Sequence, residues 1–215
     1  MTGSAHTLIK PRLRGVSHQY GFFIAALAGI ALTISVPASA RIPVGIYAVS
    51  LMLMLGASSL YHRGPWNEAQ KRWFRRLDHS MIFVLIAGTY TPFAALVIDD
   101  PLGDIILGVV WGGALAGILV TLFWIDAPNW LTALIYVVLG WISIVMLPAL
   151  YDQLGVMPLV LLGAGGVLYT MGAVVYARQK PDPVPHVFGY HEVFHAFVIA
   201  AATVQFVAVA LYAVP

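Results

Sequence analysis

The sequence predicts an all-α membrane protein, a seven-transmembrane helix bundle with its N-terminus in the cytoplasm and its C-terminus outside. Of the 215 residues, 60% are hydrophobic and 9% are charged, whereas an ordinary soluble domain has roughly 25% charged residues. The hydrophobic residues form seven continuous runs of about 20 residues, the length of a helix that crosses ~30 Å of hydrocarbon. Because the runs lack the alternation of barrel strands, a β-barrel is excluded.

Polar breaks separate the runs and set their predicted ends. Residues 1–19 form a polar, basic cytoplasmic segment, and residues 20–215 form one transmembrane domain. A cleaved signal peptide is not expected, because the first run is too long and lacks a convincing cleavage site. The seven predicted spans are residues 20–39, 44–62, 77–97, 105–125, 130–150, 158–177 and 190–214.

The distribution of Lys and Arg predicts the orientation. With the N-terminus inside, ten of the eleven basic residues fall in cytoplasmic segments, and only Arg41 falls outside. Residues 63–76 form a strongly basic loop, which could bind anionic lipid headgroups, although its default role is to set the orientation. We therefore expect a multi-pass protein integral to the cell membrane (plasma or inner).

Two histidines, His191 and His195, stand at the start of the last span. Residues four apart lie on one face of a helix, so both imidazoles can reach one metal ion. Ionisable side chains inside a membrane helix are costly and are functional candidates for that reason. The chain has no cysteine, so a metal would be held by His, Asp or Glu.

The predicted topology brings further polar residues to the same cytoplasmic side. His62 ends the second span, Asp78 begins the third, and Ser58 precedes His62 by one helical turn. Three neutral imidazoles with one open position form the arrangement of a catalytic zinc site, in which water is the fourth ligand. A carboxylate at Asp78 could orient or deprotonate that water.

Each of these residues also has a structural interpretation. His62 could be an interfacial residue, Asp78 could pair with a neighbouring arginine, and Ser58 could serve close helix packing. The run from His191 to His195 also spells His-Glu-x-x-His, the zinc-protease motif in which Glu192 would be the general base. An acid in the first turn of a helix equally suits the helix dipole. Because four polar groups are expected to meet at one depth, we prefer a zinc site, and because Glu192 has this structural explanation, we prefer Asp78 as the base.

Several segments of the chain, in order and with matching spacing, carry a family resemblance. They are residues 58–62, 77–83, 87–93, 140–141, 166–169 and 188–195. In them the chain resembles the bacterial hemolysin III proteins, a branch of the progestin and adipoQ receptor (PAQR) family. That family in turn resembles the alkaline ceramidases in a wider group of seven-helix hydrolases. The N-terminal segment is less similar, because Arg12 and Arg14 stand where acidic residues are expected in many relatives.

The resemblance implies a zinc ion bound by His62, His191 and His195, with Asp78 and Ser58 around the metal water. It also implies a hemolysin III/PAQR-like domain over residues 20–215 and ceramidase-like amide hydrolysis. We therefore expect a zinc-dependent hydrolase of an amide or ester bond in a lipid-like substrate, with membrane lipids and no nucleic acid as partners. The alternatives are a non-enzymatic sensor or regulator of membrane state with a structural zinc, an intramembrane zinc protease, and, ranked lowest, a cytolysin.

The other polar residues are expected to have no catalytic or metal-binding role. His79 lies about 100° around the helix from Asp78 and is expected to be a neighbour of the site. His6, His18 and His186 are expected at the surface or the membrane interface. Tyr90, with Thr91 and Pro92, is expected to mark a kink or a polar patch about 18 Å along the third span from Asp78.

Overall fold

The protein is a bundle of α-helices whose long members are apolar enough to cross a membrane. A computed structural model describes residues 10–213. Its α-helices are α1 (Val16–Ser35), α2 (Arg41–Arg63), α3 (Glu68–Leu96), α4 (Leu102–Phe123), α5 (Asn129–Trp141), α6 (Leu147–Leu154), α7 (Val156–Arg178) and α8 (Tyr190–Tyr212). Short 3-10 turns lie at Ala38–Ala40 and Ile142–Met146. Within the described range, pairing of β type is limited to one isolated bridge between Val184 and Phe188.

The predicted number of spans is confirmed, with seven candidate spans in the described residues. The helices α5 and α6 form one of them, Asn129–Leu154, so α7 and α8 are the sixth and seventh spans. The first span begins at Val16, four residues earlier than predicted, and ends at Ser35 before Pro37. The predicted residue 214 at the end of the last span and the first nine residues of the chain lie outside the described range.

The basic loop predicted at residues 63–76 is mostly helix, which corrects the sequence interpretation. Helix α3 begins at Glu68 because Asn67 and Gln70 form a capping box. The Asn67 side chain accepts from the N–H of Gln70 (2.9 Å), and the Gln70 side chain accepts from the N–H of Asn67 (3.1 Å). The connection between α2 and α3 is therefore residues 64–67, and the four basic residues that follow it extend α3 beyond its apolar part.

Helices α2, α3 and α8 have the most buried spans. Helix α8 packs against α7, α1 and α3, and α2 packs between α1 and α3. Small residues permit the close approach: a Cβ on Gly88 of α3 would collide with Ser50 Oγ of α2, and one on Gly29 of α1 would lie 2.9 Å from Ala48 Cβ. Small residues at helix interfaces serve this purpose in membrane proteins. These contacts hold α1, α2 and α3 together, and α8 packs against α1 and α3.

The fifth span is interrupted where α5 gives way to the 3-10 turn. Breaking an α-helix in an apolar environment frees backbone groups that must find partners. The hydroxyl of Tyr90 on α3 donates to the carbonyl of Gly140 (2.5 Å) and accepts from the N–H of Ser143 (2.6 Å). Nearby, Trp111 Nε1 donates to Thr91 Oγ1 (3.2 Å). The polar patch predicted at Tyr90 and Thr91 therefore exists, and it supports the broken helix.

Replacing Tyr90 by Phe removes these hydrogen bonds while keeping the ring. We expect Tyr90→Phe to lower the stability of the purified protein by about 1–2 kcal/mol, because the partly buried N–H of Ser143 is left without a partner. Thermal unfolding in detergent measures the effect. Tyr151→Phe is the matched control, since Tyr151 is 57% exposed. Equal unfolding temperatures for Tyr90→Phe and the wild type would contradict this assignment.

The predicted orientation can be tested with single cysteines, because the chain has none of its own. Asp100 and Glu68 are both exposed and lie at opposite ends of α3. We expect a membrane-impermeant maleimide to label Asp100→Cys in intact cells and Glu68→Cys only after permeabilisation. The reverse pattern would place the N-terminus outside.

Candidate metal centre

The start of α8 is fixed by two carboxylates that accept from free backbone N–H groups. Glu192 Oε2 accepts from the N–H of Gly189 (2.8 Å), and Asp182 Oδ1 accepts from the N–H of Tyr190 (2.8 Å). The first N–H groups of a helix have no partners inside the helix, so such side chains stabilise its first turn. The two histidines that follow are therefore held on a well-defined helical turn.

Three histidines from two helices converge at this turn. His62 ends α2, and His191 and His195 stand on α8. One ring nitrogen from each lies within 4.8 Å of the other two, and the Nε2 atoms of His62 and His191 are 3.0 Å apart. His62 is 6% and His195 is 1% exposed, while His191 is half-buried.

The donor set fits a metal ion of the zinc type. Nitrogen ligands of a tetrahedral zinc ion, each ~2.0–2.1 Å from the metal, lie roughly 3.3 Å from one another. The spacing of the His62 and His191 nitrogens is close to that value. In addition, Nδ1 of His195 is buried without a hydrogen-bond partner among the described residues, although buried polar atoms are normally paired. The structure thus brings the sequence-predicted trio together, with nitrogen donors that could hold a metal ion.

Asp78 and Ser58 lie beside the histidines. Asp78 Oδ2 is 3.9 Å from His62 Nε2, too far for a direct hydrogen bond but suited to one intervening water. Both residues are buried, and Ser58 lies next to the carboxylate of Asp78. The Asp78 carboxylate therefore lies beside the histidine trio, at a distance that one water molecule could bridge.

Glu192 is engaged elsewhere. Its Oε1 forms an ion pair with Nε of Arg14, its Oε2 accepts from Gly189, and it is only 3% exposed. The sequence had offered two interpretations of Glu192, a general base and a stabiliser of the first turn. Its contacts are those of a carboxylate that stabilises the first turn of α8 and anchors the N-terminal segment.

The described part of that N-terminal segment lies across the same end of the bundle. The N–H groups of Arg12 and Leu13 donate to the carbonyls of residues 186 and 187 (both 3.1 Å). The side chain of Lys10 donates to the carbonyl of His62, and burial beside Arg14 lowers the pKa of Lys10. Gly15 has φ +78°, and a Cβ there would lie 2.6 Å from His62 Cβ. Lys10 and Gly15 therefore contact His62, and Arg14, which departs from the family pattern, pairs with Glu192 beside the other two histidines.

His18 is a residue of the site that sequence reasoning missed. It was expected at the surface or the interface, yet it is 2% exposed and its ring stacks on that of His195, with centroids 3.8 Å apart. Neither of its nitrogens has a partner among the described residues. The error follows from the predicted start of the first span at Tyr20, because a helix that begins at Val16 places His18 inside the bundle.

The remaining histidines lie outside the trio. The backbone carbonyl of His79 accepts from the hydroxyl of Tyr136 (3.0 Å), and its ring faces Tyr176 with centroids 6.4 Å apart. This position agrees with its prediction as a neighbour of the site. His186 is exposed, as predicted, and His6 falls outside the described residues.

A cavity of about 240 Å³ opens from the histidines into the bundle. Its polar end includes His18, Ser58, Asp78, His191 and His195. The rest of its wall is mainly apolar and is formed by α3, α5, α6, α7 and α8, with lining residues that include Ile82, Leu85, Met146, Leu150, Leu159 and Val198. An engineered apolar cavity of ~150 Å³ already binds benzene, so this one has room for part of a hydrocarbon chain.

Curated relatives match most of the chain. It is 34% identical to hemolysin-3 of Bacillus cereus over 204 residues, which cover 93% of this chain and 90% of the relative. It is 35% identical to a hemolysin-3 homolog of Bacillus subtilis (strain 168), covering 79% and 76% of the two chains. The human monocyte to macrophage differentiation factor is 23% identical, with 80% and 71% covered. No solved structure matches the chain.

The family comparison agrees with these relatives and with the seven spans. Residues 6–206 match the family described as Haemolysin-III related. The distant match to the differentiation factor fits the predicted relationship to the PAQR family. The chain therefore belongs to the haemolysin-III-related family and is a multi-pass integral membrane protein.

Proposed function

We propose that this protein binds one zinc ion through His62, His191 and His195 and hydrolyses an amide or ester bond in a lipid-like substrate. One observation carries the proposal: three imidazoles converge, and two of them line the polar end of a mainly apolar cavity together with a carboxylate. A polar reacting group would lie at the histidines, and the hydrocarbon of the substrate would occupy the apolar part. Zinc with three protein ligands supplies Lewis acidity, which acidifies water and polarises a carbonyl.

The side chains around the trio have separate roles in this proposal. Asp78, 3.9 Å from His62 Nε2, accepts the proton from the attacking water, as a general base one water away can do. Ser58 orients the Asp78 carboxylate by a hydrogen bond. Glu192 and Arg14 position His191 and His195 by fixing the first turn of α8.

A structural zinc is the second candidate function. His62 belongs to α2 and the other two ligands belong to α8, so a bound metal would tie these helices together without any reaction. The opening of the site onto the cavity favours the enzyme, because a purely structural zinc site has all four positions filled by protein. The ion pair and backbone contact of Glu192 disfavour an intramembrane protease that uses it as base. The mainly apolar cavity wall gives no support to a cytolytic pore.

In our proposal the site lies at the cytoplasmic face of the cell membrane. The basic residues near this end of the bundle support that orientation. Membrane lipids would then be both the surroundings and the source of the substrate. Arg72 and Arg75 belong to the basic segment that could bind anionic lipid headgroups, and both pair with Asp126 (3.2 and 2.9 Å). Their main role in this proposal is to join α3 to the end of α4.

Removing a ligand should release the metal. We expect the purified wild type to contain about one zinc per chain, and His62→Ala and His191→Ala to lose most of it, because two remaining imidazoles bind zinc far more weakly. Elemental analysis by mass spectrometry measures the content. His79→Ala is the matched control and should keep its zinc. Stoichiometric zinc in the double variant His62→Ala/His191→Ala would disprove the site.

Removing the Asp78 carboxylate should leave zinc binding intact and reduce lipid hydrolysis. We expect Asp78→Asn to retain zinc but to reduce the release of fatty acid from N-acyl and ester lipids by about 100-fold or more, the usual contribution of a general base. Lipid mass spectrometry of reactions with a panel of ceramides and phospholipids measures this release. Glu192→Gln, which keeps an acceptor for Gly189, should retain activity. Normal turnover in Asp78→Asn would instead assign the base role to Glu192.

A further inference from the structure

The cavity contains a second group of polar atoms, remote from the histidines. Gln205 on α8 is 8% exposed and lines the cavity. Its Nε2 donates to the carbonyl of Leu162 (3.3 Å), but its Oε1 has no hydrogen-bond partner among the described residues. The hydroxyl of Tyr169 on α7 also lines the cavity and is likewise unpartnered there.

The fold presents Gln205 to the cavity through a specific close contact. A Cβ on Gly165 of α7 would lie 2.6 Å from Gln205 Nε2, so only glycine lets the amide lie against α7. Tyr169 follows Gly165 by four residues and therefore stands on the same face of α7, one turn away. Both unpartnered groups therefore line the same cavity within one helical turn of the Gly165 contact, and together they are called the Gln205–Tyr169 site.

Other hydroxyls on the cavity wall already have partners. Thr89 donates to the carbonyl of Leu85, Thr170 donates to that of Gly166 (both 2.8 Å), and Tyr90 bonds the broken span. A buried polar atom without a partner costs free energy, and almost all such atoms in proteins are paired. An amide oxygen and a phenol hydroxyl together accept one hydrogen bond and donate another, which is the complement of an alcohol.

We propose that the Gln205–Tyr169 site binds a hydroxyl group on the hydrocarbon chain of the lipid ligand. The ligand hydroxyl would donate to Gln205 Oε1 and accept from the hydroxyl of Tyr169. This inference rests on the proposed function only in placing the polar end of the ligand at the histidines. Ten residues separate His195 from Gln205 along α8, a distance of about 15 Å.

That distance specifies where the hydroxyl lies on the chain. Carbon–carbon bonds of ~1.5 Å in a staggered chain advance about 1.25 Å each along its axis. A distance of about 15 Å therefore corresponds to roughly twelve carbons. The ligand class is a long-chain lipid that carries a hydroxyl near carbon 12 of its acyl chain.

Competition binding on the purified full-length protein in detergent tests this proposal. Unlabelled stearate, 7-hydroxystearate and 12-hydroxystearate are compared as competitors of radiolabelled stearate. We expect 12-hydroxystearate to bind about 3- to 10-fold more tightly than stearate, the contribution of a net hydrogen bond. The 7-hydroxy isomer should show no such preference.

Variants assign the preference to the two side chains. Gln205→Leu and Tyr169→Phe should each reduce it to less than about 2-fold while leaving the affinity for stearate similar. Thr203→Val is the matched control on α8, because the Thr203 hydroxyl bonds to its own helix at Ile199 (2.8 Å) and does not line the cavity. That variant should keep the preference.

Two results would overturn the proposal: equal binding of stearate and 12-hydroxystearate by the wild type, as expected if water alone fills the site, or an unchanged preference in Gln205→Leu. Because the assay measures binding, it is independent of turnover. A wild type that shows the preference but releases no fatty acid from the lipid panel would reject the hydrolase and keep the ligand class. A wild type that hydrolyses lipids but binds stearate and 12-hydroxystearate equally would support the hydrolase and reject the hydroxylated ligand class.

Discussion

The free-energy cost of burying polar groups in a hydrocarbon environment governs this structure. Its helices carry few charges, and the histidine and acidic side chains that are buried in the described part of the bundle are gathered at one end. His62, His191 and His195 converge within 4.8 Å, and Asp78 lies 3.9 Å from His62. Away from that end, the polar side chains mostly bond to backbone groups, as Tyr90 does at the broken fifth span. An ionisable side chain that lies inside a membrane protein is therefore a candidate functional residue.

The same cost explains how the N-terminal segment serves the site. Glu192 at the start of α8 is 3% exposed, and an unpaired carboxylate there would be strongly unfavourable. Arg14 supplies its counter-charge from a segment that precedes the first span. The ion pair thus joins the N-terminal segment to α8 next to the histidines, and the stacking of His18 on His195 adds a link between α1 and α8. Both links come from residues that the family resemblance left without a role.

Sequence reasoning predicted the number of spans and the meeting of His62, His191 and His195 because both depend on simple rules. Apolar runs of membrane length determine the number of spans, and alternation of the spans determines which helix ends share a side. The early start of α3 was missed because hydropathy does not detect a polar helical extension, although Asn67 and Gln70 form a recognisable cap. The break after α5 and the pairing of Arg14 with Glu192 depend on tertiary contacts between residues far apart in sequence, which a local pattern cannot contain. His18 was missed through an error of four residues in one helix end.

In the proposed function, three histidines hold a zinc ion whose remaining position faces the cavity. This site can be tested by a crystal structure of the purified protein with anomalous diffraction recorded on both sides of the zinc absorption edge. We expect one strong anomalous peak, ~2.0–2.1 Å from a nitrogen of each of His62, His191 and His195, with its fourth position open to the cavity beside Asp78. A peak elsewhere, the absence of a peak, or a fourth protein ligand that closes the site would contradict it.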